Sequence, residues 1–549
     1  MAEQDLHGVA YPRLDAARIA RLGRCARGSV KQYRDGQTLF RSGERNFKFY
    51  VIETGQVEIR DESGDAPKVI VVHEPGEFTG EVAQLTGTPA VVTAVARGDV
   101  VVHEVSPEGL RQALNQCPDV GDIILQAFIA RRQLLRESGS FTGARVIGSR
   151  HSKDTFRIRD FLARNRVPYT WLDLESDPEV SRLLEQLGVT SADTPVVAWG
   201  HELLLKNPSE RQLADALGLR PQLDRTTYDL IVIGAGPAGL AAAVYGASEG
   251  LSTIVLERSG PGGQAGRSMR IENYLGFPTG VTGAELAERA AVQATRFGAH
   301  MPVATPVTGL MFESRYPVVS LDDGTTVTAK CLLIATGADY RRLVGAGCER
   351  FEGCGVYYAA TSTEAPLCAG ADVVVVGGGN SAGQAAVYLS SITTKVYLVI
   401  RGDSLYRDMS AYLARRIERT ENIEVMLDTE VKHMDGDEQL SRVEVVHKKT
   451  GETRTLDVAA LFSFIGATPR SDWLPPEIER DEKQFVRTGS AVAKSPHWNT
   501  PRQPFLLETS HPGVFAAGDV RSGSVKRVAS AVGEGAIAVQ FVHEYLKEL

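Results

Sequence analysis

The second half of the chain alternates short apolar runs with helical patterns, and the apolar runs end at glycine-rich turns. Residues 228–233 read Tyr-Asp-Leu-Ile-Val-Ile, and residues 372–376 read Asp-Val-Val-Val-Val. A continuous apolar run of this length, followed by a turn, is typical of a strand buried in a parallel sheet. A helical pattern begins at Leu240, directly after the first turn. This order predicts an α/β fold.

The first half of the chain carries two other patterns. Short alternating strands between residues 12 and 137 are separated by glycines, and a helical pattern follows from 118 to 137. This pattern predicts a small β domain followed by a helix. Residues 144–220 then read as strand, amphipathic helix, strand and third strand, with Pro195 at the start of the third strand, where a proline is tolerated.

Length and composition limit the choices further. The 549 residues are too many for one core, so three or four domains are expected. The net charge of −8 gives no reason to expect a nucleic-acid partner, and we expect no membrane span. The polar start does not have the pattern of a signal peptide, and none of the six cysteines is spaced as Cys-x-x-Cys. These features predict a cytoplasmic protein without a zinc site or a local redox pair.

Residues 234–239 read Gly-Ala-Gly-Pro-Ala-Gly and form the first dinucleotide-binding fingerprint. Gly234 makes the tight turn, Gly236 lets the backbone approach a pyrophosphate, and Gly239 lets the helix pack on the strand. The helix start then offers free N–H groups to phosphates. The acidic residue expected about 20 positions on is Glu257, which ends the strand 253–257 and should hold a ribose.

Residues 377–382 read Gly-Gly-Gly-Asn-Ser-Ala and form the second fingerprint. The following strand, 396–400, ends at Arg401. An arginine there accommodates a 2′-phosphate, so NADPH is favoured, and NADH remains the alternative. Arg407 is a candidate for a second contact to that phosphate.

Two more segments, 332–337 ending in Ala-Thr-Gly and 513–519 ending in Gly-Asp, complete a layout that resembles the thioredoxin reductases. The resemblance covers about 320 residues, those of the two fingerprints and these segments. It implies two Rossmann-like domains that bind FAD and NAD(P)H, and a homodimer. No residue is assigned as catalytic, and no metal site is expected.

The resemblance implies cofactor contacts at the following positions: Gly234, Gly236, Pro237, Ala238, Gly239, Glu257, Arg258, Gly263, Gln264, Asn273, Ala335, Thr336, Gly337, Gly518, Asp519, Lys526, Arg527 and Val528 for FAD, and Gly377, Gly379, Asn380, Ser381, Ala382 and Arg401 for the nicotinamide nucleotide. Residues 526–528 read Lys-Arg-Val where the family has Arg-Gln-Ala, so the contacts there depart from the family.

The thioredoxin reductases carry a Cys-x-x-Cys just before the second fingerprint, and this chain reads Ala-Ala-Thr-Ser at 359–362. In that family the dithiol takes electrons from the flavin, and the smaller domain rotates to present it. Alanine and serine cannot perform thiol–disulfide exchange. Cys354 and Cys368 lie nearby, and we interpret them as ordinary buried thiols.

Residues 144–220 resemble a thioredoxin or glutaredoxin domain, whose Cys-x-x-Cys opens the first helix and faces a cis proline. Here the pair is replaced by Ser149 and Ser152, with His151 between them, which we interpret as a solvated loop residue. The hypothesis for this domain is a scaffold or docking role.

The N-terminal segment resembles a cyclic-nucleotide-binding β-roll. Residues 80–85 match its phosphate cassette, and Glu81 is the candidate for a ribose hydroxyl. The arginine expected after Pro89 is Ala90, which removes the bidentate partner of a cyclic phosphate. Two alternatives remain open for this domain. The β-roll binds a small nucleotide, or it is kept for packing.

The predicted domains are a β-roll at 1–137, a thioredoxin-like domain at 144–220, a FAD-binding domain at 226–340 with 465–549, and an NAD(P)H-binding domain at 341–464. The predicted function is hydride transfer from NADPH to FAD and on to an unidentified external acceptor. Quinone, a ferredoxin- or flavodoxin-like carrier, a partner disulfide and oxygen are the candidates. The alternative is a flavin- and nucleotide-based redox sensor or scaffold with little turnover.

Overall fold

The structure is a computed structural model. It describes residues 6–62, 67–81, 83–86, 89–137, 144–177, 180–199, 203–220, 227–343, 347–361 and 363–549. Within these ranges, no helix has both the length and the apolar content needed to cross a membrane.

The N-terminal part is an antiparallel β-roll flanked by helices. Its elements are α1 Leu6–Ala10, α2 Ala16–Ala26, β1 Ser29–Tyr33, β2 Thr38–Phe40, β3 Phe49–Asp61, β4 Lys68–His73, α3 Ala83–Thr86, β5 Thr93–Val105, α4 Pro107–Gln116 and α5 Pro118–Glu137. The strands run in the order β1-β5-β3-β4, and β2 also pairs with β5. Phe49, Phe78 and Phe128 pack together and join the roll to α5.

The middle part is a small α/β unit with a mixed sheet. Its elements are β6 Ala144–Ile147, α6 Lys153–Arg164, β7 Tyr169–Leu172, α7 Val180–Gln186, β8 Val196–Trp199, β9 Leu203–Lys206 and α8 Glu210–Ala216. The order is β7-β6-β8-β9, with β6 parallel to β7 and antiparallel to β8. The Thr194–Pro195 peptide is cis, at the position where the resemblance to thioredoxin predicts it.

The first dinucleotide-binding domain is built from two stretches of the chain. Its elements are β10 Thr227–Ile233, α9 Pro237–Ser248, β11 Thr253–Leu256, α10 Gly283–Arg296, β12 Val307–Glu313, β13 Tyr316–Leu321, β14 Thr326–Ile334 and β15 Ala338–Tyr340, and later β24 Ala467–Pro469, β25 Val514–Ala516 and α14 Val528–Leu546. The main sheet runs β11-β10-β14-β13-β12, and β25 pairs with β14.

The second dinucleotide-binding domain is inserted between β15 and β24, which pair with each other where the chain crosses between the domains. Its elements are α11 Cys348–Phe351, β16 Val356–Tyr357, β17 Asp372–Val376, α12 Asn380–Ser390, β18 Lys395–Val399, α13 Ala411–Glu418, β19 Ile423–Met426, β20 Thr429–Gly436, β21 Leu440–His447, β22 Thr453–Asp457 and β23 Ala460–Ser463. The parallel sheet runs β16-β23-β17-β18-β19.

The middle unit contacts each of the other domains. Asp160 on α6 pairs with Arg267 of the first dinucleotide-binding domain at 2.8 Å, and Phe156 packs on Tyr357 of the second, with ring centroids 5.5 Å apart. The backbone carbonyl of Asp215 accepts a hydrogen bond from Arg45 of the β-roll at 2.7 Å. The middle unit therefore ties the other domains together.

Candidate functional site

Four strands of the first dinucleotide-binding domain end at one edge of its sheet. Ile233 lies beside both Leu256 and Ile334, and Ile334 lies beside Ala516, all in parallel register. The residues that follow these strands therefore lie side by side. The sequence predicted cofactor contacts in each of the four turns that follow these strands, and the structure brings the four turns together.

The first fingerprint forms a turn with one open face. Gly234 has a φ of +101°, and a Cβ there would lie 2.5 Å from the carbonyl oxygen of Ala335. A Cβ on Gly239 would collide with the carbonyl oxygen of Gly234. By contrast, no described atom lies within 4 Å of a Cβ built on Gly236, which caps α9. Glycine is thus required for packing at positions 234 and 239. Gly236 instead leaves an open cradle at the start of α9.

Glu257 is buried beside this turn. Its Oε2 accepts a hydrogen bond from the Ala235 amide at 2.7 Å, and its Oε1 accepts from Ser259 and Gly260 at 2.9 and 3.2 Å. The carboxylate therefore holds the turn itself together, which the spacing argument missed. A ribose contact from Glu257 stays a prediction. Arg258 is exposed next to it.

The loop at 262–264 packs on the first turn. The amide of Gly262 donates to the carbonyl of Ala235 at 2.7 Å, and a Cβ on Gly263 would lie 3.1 Å from the Cα of Gly236. The side chain of Gln264 donates to the carbonyl of Ala338. The loop predicted to lie beside a flavin ring therefore closes over the same edge of the sheet.

The ends of β14 and β25 form the rest of this edge. Gly337 has a φ of +67°, and no described atom would crowd a Cβ there. Thr336 donates its hydroxyl to the carbonyl of Arg470 at 2.7 Å, and Ala335 is buried. The amide of Gly518 donates to Glu534 at 2.7 Å.

Asp519 and Lys526 lie together beyond Gly518. Burial raises the pKa of Asp519 above its ordinary value, although Lys526 lowers it. The Lys526 Nζ donates to the carbonyl of Asp519 at 2.5 Å and lies 4.6 Å from the centre of the Phe485 ring, and burial lowers its pKa. Lys526 thus folds back onto this turn. Arg527 precedes α14, which begins at Val528.

The second fingerprint repeats the geometry of the first. Gly377 has a φ of +142°, and a Cβ there would lie 2.6 Å from the carbonyl oxygen of Phe464. Gly379 caps α12 and has the same open face as Gly236. Asn380 uses its Oδ1 to accept from the Ser410 amide at 2.7 Å, and Ala382 is buried.

The arginines predicted to select NADPH lie on one loop. β18 ends at Val399, one residue before the predicted end, and Arg401 follows it, exposed to solvent. A Cβ on Gly402 would lie 3.8 Å from Arg407 Nη1, which is 4.0 Å from Asp403. Both arginines therefore border the same loop, and a 2′-phosphate contact stays a prediction.

Two contacts hold the second fingerprint against the first domain. The Tyr340 hydroxyl lies 3.3 Å from Ser381 Oγ at the start of α12, and Tyr340 follows Gly337 by three residues. Arg416 on α13 pairs with Glu272 at 2.9 Å. The predicted contact Asn273 is exposed and lines the cleft between the domains with Tyr412 and Arg416. The second fingerprint therefore lies close to the domain junction.

A comparison with protein-family models assigns residues 228–535 to the pyridine nucleotide-disulphide oxidoreductases. The chain belongs to this family. The thioredoxin reductase of Treponema pallidum is 35% identical over 325 residues, which are 59% of this chain and 99% of that protein. The Bacillus subtilis enzyme is 33% identical over 59% of this chain and 96% of its own.

A solved structure gives the same result for the fold. The Lactococcus lactis thioredoxin reductase superposes with a TM-score of 0.53 and 30% identity, over 59% of this chain and all of that one. Residues 30–117 match the cyclic nucleotide-binding domain model. The predicted fold class, Rossmann-like domains preceded by a β-roll, is confirmed.

Two residues of the segment that replaces the thioredoxin reductase dithiol, Ala359 and Ala360, are buried. Ala359 is 5% exposed, and Ala360 packs in the core of the NAD(P)H-binding domain beside Tyr357. Ser362 lies outside the described residues. The thioredoxin-like domain covers the neighbouring backbone, because Phe156 rests on Tyr357 and the carbonyl of His151 is 3.0 Å from Cys354 Sγ. The described part of this segment has no exposed thiol.

Cys354 and Cys368 have the environment of ordinary buried thiols. Burial raises the pKa of the Cys354 thiol, and it raises that of Cys368 to about 12. A thiol with such a pKa is not a nucleophile at neutral pH. The structure therefore supports the interpretation made from the sequence.

The serines of the thioredoxin-like domain have structural partners. Ser149 donates to Glu175, and Ser152 caps α6 by accepting from the Thr155 amide at 3.3 Å. The imidazole of His151 is only half-buried, but its backbone carbonyl lies against Cys354, so this loop belongs to a domain contact rather than to open solvent. The interpretation of the His151 side chain as a solvated loop residue stays a prediction, because the domain contact uses its backbone carbonyl.

A charged cluster around the buried Glu364, at the junction of three domains, was missed in the sequence. Asp160 of the thioredoxin-like domain pairs with Arg267 of the FAD-binding domain at 2.8 Å, and burial raises the pKa of Asp160. Glu364 of the NAD(P)H-binding domain is 2% exposed and accepts from the Thr361 amide at 2.8 Å. Burial raises the pKa of Glu364 to about 6.

The β-roll keeps the two residues noted in the sequence inside its fold. Glu81 is buried, and burial raises its pKa, while Arg132 lowers it. Ala90 is buried and lines a cavity in the roll. Arg131 lines the same cavity, and the sequence analysis did not single it out.

The structure also pairs Cys25 and Cys117 as a disulfide between α2 and the end of α4. Their sequence separation of 92 residues hides the pair from a search for local motifs. The described residues contain no cluster of histidine, cysteine and carboxylate side chains suited to a metal.

Proposed function

We propose that this chain is an FAD-dependent oxidoreductase that takes hydride from NADPH and delivers electrons to an external acceptor. The observation that carries the proposal is a contrast between sites. Both fingerprints keep an open, glycine-lined face, whereas the buried Ala359 lies where the first cysteine of the dithiol of the related enzymes is expected.

The residues present fit the two nucleotides. Gly236 and Gly379 each leave an open cradle at the start of a helix, where backbone N–H groups favour a pyrophosphate. Glu257, Gln264 and Asp519 would hold FAD around the first cradle, and Arg401 would hold the nicotinamide nucleotide at the second. Bound flavin supplies the two-electron chemistry, and the protein supplies orientation and electrostatics.

Two contacts join the domain of the second cradle to that of the first. The Tyr340–Ser381 contact and the Arg416–Glu272 pair both cross the junction. Lys526 places a positive charge beside Asp519, at the end of the sheet predicted to hold the ribitol. NADPH is favoured because Arg401 and Arg407 border the loop after β18, and NADH remains the alternative.

The acceptor is external in this proposal. The thioredoxin-like domain covers the backbone beside the missing dithiol, so it acts as a scaffold for the NAD(P)H-binding domain. The candidate acceptors are quinone, a ferredoxin- or flavodoxin-like carrier, a partner disulfide and oxygen. A homodimer stays a prediction from the family resemblance, and a cytoplasmic location stays a prediction from the cysteine content and the polar start.

Anaerobic mixing of the purified protein with NADPH tests the proposal. We expect the visible flavin band to bleach within seconds and turnover to follow when a quinone is added. The variant Gly379→Val fills the nicotinamide cradle, so it should lose bleaching by NADPH but keep bleaching by dithionite. Failure of the wild type to bleach with either nicotinamide would refute the proposal.

A sensor function is the second candidate, and the packing of the β-roll favours it. The guanidinium of Arg296 on α10 donates to the carbonyl of Leu114 at 2.7 Å, and α10 also packs on the loop at Gly262 through Ala287. If the protein is a sensor, its flavin band should bleach with NADPH, but turnover should be small with each of the candidate acceptors.

A further inference from the structure

The β-roll contains a cavity with an apolar wall. The space in it that the centre of a water-sized sphere can occupy is about 50 Å³. The apolar side chains that line it come from the strands and the loops between them, namely Phe40, Phe47, Ile59, Ile70, Val71 and Val92. Arg131 on α5 lines the same cavity. Glu81 and His73 line it as well, and a largely apolar pocket with a few polar groups is the usual form of a small-molecule site.

Arg131 has one buried donor group without a partner. Its side chain is 6% exposed, its Nε donates to the carbonyl of Ala10 at 2.7 Å, and its Nη1 donates to that of Gly80 at 2.8 Å. The Phe78 ring centre lies 4.7 Å from the guanidinium carbon. Among the described residues, Nη2 has no hydrogen-bond partner.

This unpartnered group indicates a ligand. Leaving a buried donor unsatisfied costs about 1–3 kcal/mol, and more for a charged group. Burial lowers the pKa of Arg131 to about 10, so the guanidinium is still cationic at neutral pH. The other two nitrogens hold the plane of the guanidinium fixed, so Nη2 is pre-positioned for an acceptor.

Among the described residues that line the cavity, Arg131 supplies the positive charge and an unpartnered donor. Glu77 is already paired with Arg13 and His73, each at 3.2 Å. Glu81 lines the same cavity and is buried, so the cation has an acid as a neighbour. A phosphate monoester carries more charge than one guanidinium balances, whereas a carboxylate and the diester of a cyclic nucleotide each carry one. The largely apolar lining favours the carboxylate with an apolar body.

We propose that this cavity binds a small monocarboxylic acid with an apolar body, with its carboxylate on Arg131 Nη2. The apolar body lies against Phe40, Phe47 and Val92. Ala90 takes the place of the cassette arginine, so the charge in this site comes from the helix after the roll instead. This site stands independently of the flavin chemistry proposed above.

Calorimetric titration of the full-length, FAD-loaded protein tests this proposal. The probes are octanoate, 3-phenylpropionate and indole-3-acetate, each beside its alcohol of equal length, with cyclic AMP as a further arm. We expect at least one acid to bind about tenfold or more tightly than its alcohol, since a charge-assisted hydrogen bond contributes about 1.5–3 kcal/mol.

Three variants locate the site. Arg131→Gln should remove the preference for the acid, and Ala90→Leu should weaken the acid and the alcohol alike by filling the cavity. Arg21→Gln, on the exposed face of α2, should change neither. If Arg131→Gln does not fold, the comparison of acids with alcohols and the Ala90→Leu variant test the proposal instead. Three outcomes would each overturn the proposal. The acids bind no more tightly than the alcohols, no acid binds at all, or cyclic AMP binds more tightly than every acid.

Discussion

Replacing Glu364 by glutamine tests the charged cluster at the domain junction. Glu364 is buried with Asp160 and Arg267, each from a different domain, and burial raises its pKa from 4.5 to about 6. Glutamine keeps the acceptor oxygen for the Thr361 amide but carries no charge. The variant therefore removes the cost of ionising a buried carboxyl and leaves the packing nearly unchanged.

The sign and size of the effect follow from the two pKa values. The folded state holds the proton more tightly than the unfolded state, so the wild type is most stable below pH 4.5 and loses stability as the pH rises from 4.5 through 6. The loss is about 0.8 kcal/mol at pH 5 and about 2 kcal/mol at pH 7.5. The variant has no such loss, so its advantage should grow by about 1.2 kcal/mol between these pH values.

The thermal unfolding midpoint of variant and wild type, followed by the release of flavin fluorescence at pH 5 and pH 7.5, measures how much this stability advantage grows. For a unit of 150–250 residues, about 1 kcal/mol moves the midpoint by about 2–4 °C, so we expect the difference between variant and wild type to increase by about 3–5 °C. Any pH-independent effect of glutamine cancels in this comparison. Glu421→Gln, on an exposed position, is the control and should show no growth. A difference that stays constant or shrinks as the pH rises would show that Glu364 is not ionised at a cost in the folded state.

Three further predictions concern the redox and nucleotide sites. Arg401→Gln should raise KM for NADPH about tenfold, the loss expected for one exposed charge-assisted contact, and leave KM for NADH unchanged; an equal rise for both would refute the 2′-phosphate role. Wild-type protein should show little or no NADPH-driven turnover with thioredoxin, and Ala359→Cys with Ser362→Cys should raise it if the alignment with the family is right. Peptide mapping after alkylation without reductant should recover Cys25 and Cys117 as one linked peptide, and two alkylated peptides would contradict the disulfide.

The sequence predicted the elements whose evidence is local. Gly234, Gly236 and Gly239 have a fixed spacing after an apolar strand, and each shows in the structure the packing or openness that its role requires. Glu257 was found by its distance from that turn, but its hydrogen bonds to the turn were not, because they depend on how the loop after β11 folds back.

The residues that the sequence analysis missed depend on contacts between distant segments. Arg131 appears in sequence as one charge in a helical pattern, and only the β-roll shows that it is buried at a cavity. Glu364 follows the degenerate dithiol segment and carries no motif, and its environment is set by Asp160 and Arg267 from two other domains. No periodicity or spacing rule brings together groups that lie about a hundred residues apart or more.

The covered dithiol segment gives a physical reason for the loss of two cysteine pairs in one chain. Cys354 shows what the contact does to a thiol, because burial beside the thioredoxin-like domain raises its pKa and lowers its reactivity. A dithiol at the position of Ala359, under the same cover, would gain no thiolate and would meet no incoming partner. Ser152 of the thioredoxin-like domain instead caps the helix that makes the contact. For the oxidoreductase proposed above, we therefore expect no exchange chemistry at this position and expect the electrons to leave from the flavin side.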